Sequence, residues 1–306
     1  MGALVLVVIL LASLTAAAQA QKAKLPCIGC SVDGKTTPRT ADGHPNLNGY
    51  WNTPPRPNAD PGQFLNREAD GSFLFEFGEN FDETSEVCLD DSCQVGNQPP
   101  YKPEYMPKVK QIAATMYLGT SALDPIMACR PDGVPRAGIG ATQIVQTPEL
   151  MAILYEGAPS SVYRVIYTDG RPVPQDMETT YFGFSTGHWE GDTLVVDVVN
   201  VNDDTWLGGS NHGRAKYTSI HSEKMHVRER WTRQGNTLSV DTTVEDPVMF
   251  TKPWVIPTRN VQMSNPGDFL HETICNYENA NQEHLIAPTE KDKGQLFLGS
   301  KDNAIK

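Results

Sequence analysis

Beyond its first dozen residues the chain has no long apolar run, and nowhere does it carry a cluster of lysine and arginine. The first absence leaves no later segment able to span a bilayer as a helix. The second, with 25 basic against 37 acidic residues and a net charge of −12, argues against nucleic acid or anionic lipid as a partner. Also missing are a Walker loop, a dinucleotide-binding glycine fingerprint, a Cys/His zinc array and a haem CxxCH. We therefore expect no cofactor and no metal. Internal repeats and low-complexity tracts are absent. So is any Asn-x-Ser/Thr sequon, because Asn52-Thr53 is followed by Pro54. That fits a bacterial envelope better than a eukaryotic secretory route.

The apolar run that does occur opens the chain, Met1-Gly-Ala-Leu-Val-Leu-Val-Val-Ile-Leu-Leu-Ala. It is short for a membrane span, and Ala18-Gln19-Ala20 supplies the small residues a signal peptidase reads. Cleavage after Ala20 is the expectation, with an N-terminal membrane anchor as the alternative. Gln21 rather than Cys follows, which speaks against a lipid-modified terminus. Residues 1–20 are thus read as a signal peptide, 21–100 as an irregular arm and 101–306 as a helix plus a β-barrel domain. The mature protein is expected to be secreted or periplasmic, without stable membrane insertion.

Six cysteines in an exported chain imply three disulfides. The simplest connectivity is Cys27–Cys30, Cys88–Cys93 and Cys129–Cys275, one of fifteen pairings that six cysteines allow. A redox-active CxxC is the alternative for the first couple, although no βαβ pattern surrounds it.

Residues 21–100 are rich in Pro, Gly, Asp and Asn, with one island, Asn46–Trp51, suited to an edge strand. Helical spacing of Val109, Ile112, Ala113, Met116 and Tyr117 predicts a helix over 102–117. A loop over 125–140 follows. Then come short β-rich runs at 143–147, 150–156, 162–168, 180–189, 193–201, 224–233, 237–245, 254–263 and 270–277. Glu190-Gly-Asp192 and Gln234-Gly-Asn236 are compact hairpin connections. Sequential hairpins favour an antiparallel up-and-down barrel of eight or nine strands, of the lipocalin or calycin kind.

Period-two alternation places Met225, Val227, Glu229 and Trp231 on one face, and the apolar face should point inward, carrying Glu229 with it. Leu150, Ala152, Leu154 and Glu156 share a face, as do Val162, Arg164 and Ile166. A buried carboxylate must find a cation or a donor. Glu229 or Glu156 facing Arg164 satisfies that and leaves a polar spot in an apolar cavity, the usual construction of a small-molecule site. An internal ion pair without any further role is the alternative.

Gly183-Phe-Ser185-Thr-Gly187 matches G-x-S-x-G, but the serine lies in an expected strand with no helix after it, so no nucleophile elbow is expected. His221 and His226, five residues apart, fall on opposite faces of a strand and make a poor metal pair unless His212 or His271 joins them. His221, after the Gly208–Gly213 loop, is the candidate general acid or base, and a surface loop histidine is the alternative. Trp206, closing Asn202-Asp-Asp-Thr-Trp206, is read as a lid over the barrel mouth. Tyr167, His226 and His271 are the remaining candidate substrate contacts.

Several segments together resemble a family of exported bacterial proteins that carries no assigned activity. They are Asn46–Trp51, Cys129–Arg136, Ile144–Pro148, Gly187-His-Trp-Glu-Gly-Asp-Thr-Leu-Val-Val-Asp197, His221–Arg230, Asp246-Pro247 and Thr251–Trp254. The resemblance spans nearly all of the chain after residue 20 and implies a bacterial, exported origin, but no catalytic residue. From the residues themselves, the expectation is an enzyme of isomerase, cyclase or hydrolase type acting on a small, largely apolar molecule inside the barrel. Its acid–base groups would be His221, Glu229 or Glu156, with Arg164 stabilising an anion. A non-catalytic carrier of an apolar ligand, or an envelope interaction module, are the alternatives.

Overall fold

The computed structural model describes residues 27–52, 98–113, 123–157, 160–208 and 219–275, with four further two-residue strands between 66 and 121. The expected leader, the Cys88–Cys93 pair and His212 lie outside the described residues. Nine strands form a closed barrel: β1 (Gly49–Asn52), β2 (Thr142–Gln146), β3 (Leu150–Tyr155), β4 (Val162–Tyr167), β5 (Phe184–Glu190), β6 (Thr193–Val199), β7 (His226–Gln234), β8 (Thr237–Glu245) and β9 (Trp254–Met263). From β2 to β9 each strand neighbours the next in sequence. β1 closes the ring, pairing β9 through Trp51–Met263 and β2 through Gly49–Ile144.

A barrel-like, mainly β fold was expected, and the structure has one. It differs from a purely antiparallel meander in one pair: β4 and β5 run parallel, joined only at Ile166–Ser185 and Tyr167–Thr186. Parity requires this. Around a closed ring the strand sense can return to its start only after an even number of reversals, so nine strands cannot all pair antiparallel. The excursion over 168–183 supplies the crossover that a parallel neighbour needs. Gly183 ends it at φ +62°, where an added Cβ would stand 2.4 Å from the carbonyl oxygen of Val199. This is why the strand expected over 180–189 begins only at Phe184.

Three other expectations are corrected. Asn46–Trp51 is no edge: β1 has neighbours on both sides, and Trp51 is fully buried. The last barrel strand is β9, because 264–275 is irregular. Its backbone there bonds to the entrance of β4, Thr273 N–H to Ser161 Oγ and Cys275 N–H to Ser160 Oγ, instead of to a ladder. The helix is shorter than expected, α1 (Met106–Ala113), with Met116–Tyr117 paired as a strand to Thr120–Ser121. Pro107 fits the first turn of α1, where a missing N–H costs nothing.

A bulge in β9 opposes Pro257 and Thr258 to the single residue Asp241, whose carboxylate accepts the Thr258 hydroxyl at 2.5 Å. Proline cannot donate to the ladder, so it is tolerated at a bulge. The interior is filled by buried side chains, among them Ile144, Ile153, Ile166, Val196, Trp231 and Val240. At the hairpin end the N-terminal segment covers the barrel. Arg39 forks onto Asp192 at 2.8 and 2.7 Å, and His44 stacks on Trp189. Residues 124–141 cover the opposite end, with Val134 and Ile139 in the core. Disulfides join Cys27 to Cys30 and Cys129 to Cys275, and no helix among the described residues is long and apolar enough to cross a membrane.

Candidate functional site

Where β5 has not yet begun, the residues of β4 before Ile166 lack a strand neighbour on that side, and the barrel wall opens. The opening is a cleft of about 550 Å³. Pro131 and Met177 line it together with Val162, Tyr163, Val165 and Tyr167 from β4, Tyr181 and Phe182 from the crossover and Phe184 from the start of β5. Its walls are largely apolar and aromatic. Tyr167 stacks on Phe184 at 5.3 Å between centroids and carries the Arg171 guanidinium over its ring, 4.0 Å from the centroid. Phe182 stacks on Tyr155 at 5.3 Å.

Two polar members of the cleft, Arg164 and Ser185, are buried. Arg164 and Ser185 are 3% and 2% exposed and meet through the Arg164 Nε–H, which donates to Ser185 Oγ at 3.0 Å. Arg164 also forks onto Glu229, Nη1 to Oε1 at 3.1 Å and Nη2 to Oε2 at 2.9 Å. The indole Nε1–H of Trp231 donates to the same carboxylate at 3.1 Å. Burial disfavours the Arg164 cation, yet Glu229 outweighs it and raises the pKa above the ordinary value. Beside them the Tyr155 hydroxyl is buried, close enough to Arg164 for that guanidinium to lower its pKa, but burial outweighs this and pushes it up to about 12, so it stays a neutral phenol.

Of the two carboxylates weighed against Arg164, the structure selects Glu229. Glu156 follows Tyr155 at the end of β3, on the outer face, because the inward residues of that strand are Met151, Ile153 and Tyr155. Every residue of β3 is apolar, so alternation did not reveal its face. Glu156 accepts the Tyr50 hydroxyl at 2.8 Å and lies 3.4 Å from His271 Nδ1. Burial works against its ionised form, but these hydrogen bonds hold its pKa below the usual value. His271 is exposed, beside Phe269.

His221 is buried, not exposed in a loop. It is 1% exposed, its Nδ1 3.1 Å from the Ser222 carbonyl oxygen and its Nε2 2.7 Å from Thr205 Oγ1. Burial holds its pKa below the ordinary imidazole value, against smaller raising effects of the Ser222 carbonyl and Asp246. Trp206 likewise is 6% exposed and packed away instead of lying across an open mouth, since a buried indole is worth more to the fold than an exposed one. His226 sits on the outer face of β7, its Nε2 2.8 Å from Asp197, which also takes Arg228 at 2.9 Å. Arg164, Glu229 and Tyr167 thus come together at one place, while His221, Glu156, His226 and His271 stand elsewhere.

Sequence reasoning missed Ser185 as a partner of Arg164, and Tyr155, Phe182 and Phe184 as companions of the cleft. The Ser185 signal was present: β4 and β5 both carry a polar residue on an otherwise inward face. Their adjacency depends on the parallel pairing, which no local pattern announces. Comparison with protein-family models, with curated proteins and with solved structures returned no match for the chain.

Proposed function

We propose that this protein binds a small, largely apolar molecule in the cleft between β4 and β5 and acts as a binding or carrier protein outside the cytosol. The observation that carries this reading is the cleft itself: about 550 Å³, walled by aromatic and aliphatic side chains and floored by a few fixed polar groups. That volume lies within the usual range for ligand sites, roughly 300–1,000 Å³. Two disulfides support an oxidising compartment. A binding role is favoured over acid–base turnover because His221, the expected proton-transfer group, engages both ring nitrogens with Thr205 and Ser222.

The test is a titration with the neutral fluorophore N-phenyl-1-naphthylamine. Saturable enhancement at one dye per chain is expected, weakened about tenfold or more by Val165→Trp, which fills the cleft from its β4 wall. Equal binding by the folded Val165→Trp protein, or none by the wild type, overturns the reading.

A further inference from the structure

The hydrogen-bond inventory at the cleft floor is one-sided. A guanidinium has five N–H groups and no acceptor. Arg164 uses three of its five, one on Ser185 Oγ and two on Glu229. Ser185 accepts from Arg164, and among the described residues none of its contacts takes the proton of its own hydroxyl. The Glu229 carboxylate already receives two guanidinium N–H groups and the Trp231 indole. What the floor still offers is donors.

The ion pairs of this region are otherwise complete. Arg259, facing inward from β9, lies near enough for the Glu229 charge to act on it, and its Nη1 donates to the Pro135 carbonyl at 2.8 Å. Asp132 acts on Arg259 as well, and Arg136 beside it pairs both Asp124 and Asp132, so cations and carboxylates around this region are equal in number. The guanidinium groups remain charged at any relevant pH.

Resting on the binding role proposed for this cleft, we infer that its ligand is an apolar molecule bearing one carboxylate. The carboxylate enters first, taking the Ser185 hydroxyl proton and a remaining N–H of Arg164, while the apolar body lies against Val165, Tyr167, Phe182 and Phe184. Such charge-assisted bonds are about twice as strong as neutral ones, and they orient the ligand as well as hold it.

Matched probes test this: 2-naphthoate, 2-naphthamide and 2-methylnaphthalene, titrated against the whole protein at pH 7. A hydrogen bond to a charged group contributes about 1.5–3 kcal/mol, so naphthoate is expected to bind at least about tenfold more tightly than either neutral probe. Ser185→Ala, which removes only a hydroxyl, should shrink that ratio by about tenfold while leaving methylnaphthalene affinity unchanged. If all three probes bind equally, the carboxylate inference falls and the cleft reading stands. If none binds, the cleft reading itself falls. If the ratio survives Ser185→Ala undiminished in a folded protein, the acid is held elsewhere and the assignment to this floor is overturned.

Discussion

Arg164 and Glu229, 65 positions apart, meet across the barrel interior in a two-pronged ion pair, both side chains almost wholly out of water. β4 and β7 are not neighbours in the sheet, so the pair spans the barrel lumen and does not decorate a ladder. Ser185 and Trp231 satisfy further atoms of the same pair. An ion pair in this setting holds the two walls in one relative position.

Removing one partner strands the other charge. Glu229→Leu is expected to lower unfolding free energy by about 3–5 kcal/mol, measured by urea denaturation. The double replacement Arg164→Met with Glu229→Leu should recover most of that loss, because an apolar pair of similar volume is often neutral or better. A double variant no more stable than Glu229→Leu would show that the pair does more than satisfy itself.

His221 gives stability a pH dependence of defined sign. Its folded pKa lies below the unfolded value of about 6.5, so above that pH both states are neutral and its contribution is fully present. As pH falls below about 6.5 the unfolded chain takes up the proton first and stability declines, by at most about 1.4 kcal/mol per pH unit. Urea midpoints between pH 7.5 and 5.5 should show this decline. In His221→Asn, which keeps a donor for the Ser222 carbonyl, the slope should flatten even though overall stability is lower. An unchanged slope would remove His221 from the account.

The Cys129–Cys275 bridge closes a loop of 146 positions and ties the cap over 124–141 to the segment leaving β9. In the chain-entropy description such a loop is worth about 4–5 kcal/mol. Cys129→Ser with Cys275→Ser should therefore lower the thermal midpoint by roughly 8–20 degrees, and proteolysis should cut first near Cys129–Arg136. The buried fork of Arg136 onto Asp124, at 2.6 and 2.9 Å, is expected to keep the rest of that cap in place. A midpoint shift of only a degree or two would contradict the entropic description for this bridge.

Much of the barrel was legible because hairpins are local. The turns Glu190-Gly-Asp192 and Gln234-Gly-Asn236, with alternation on either side, specify β5–β6 and β7–β8 before any tertiary contact forms. Alternation on β7 also sends Glu229 inward with Val227 and Trp231, and a buried carboxylate must find a cation. Which cation, and which carboxylate on the other strands, was open. On β3 every position is apolar, so the period carries no information about faces there, and Glu156 was placed beside Arg164 when it is bound to Tyr50 on the outside.

The amino-acid sequence by itself determined the strand-rich meander, the inward glutamate and a cysteine count that demands bridges, because each follows from interactions within a few residues or from composition. Tertiary structure alone decided the nine-strand closure and its parallel seam between β4 and β5. It also buried His221 and set Ser185 against Arg164. Those depend on how many strands enter the ring and on the parity their number imposes, a property of the closed sheet that no single segment contains.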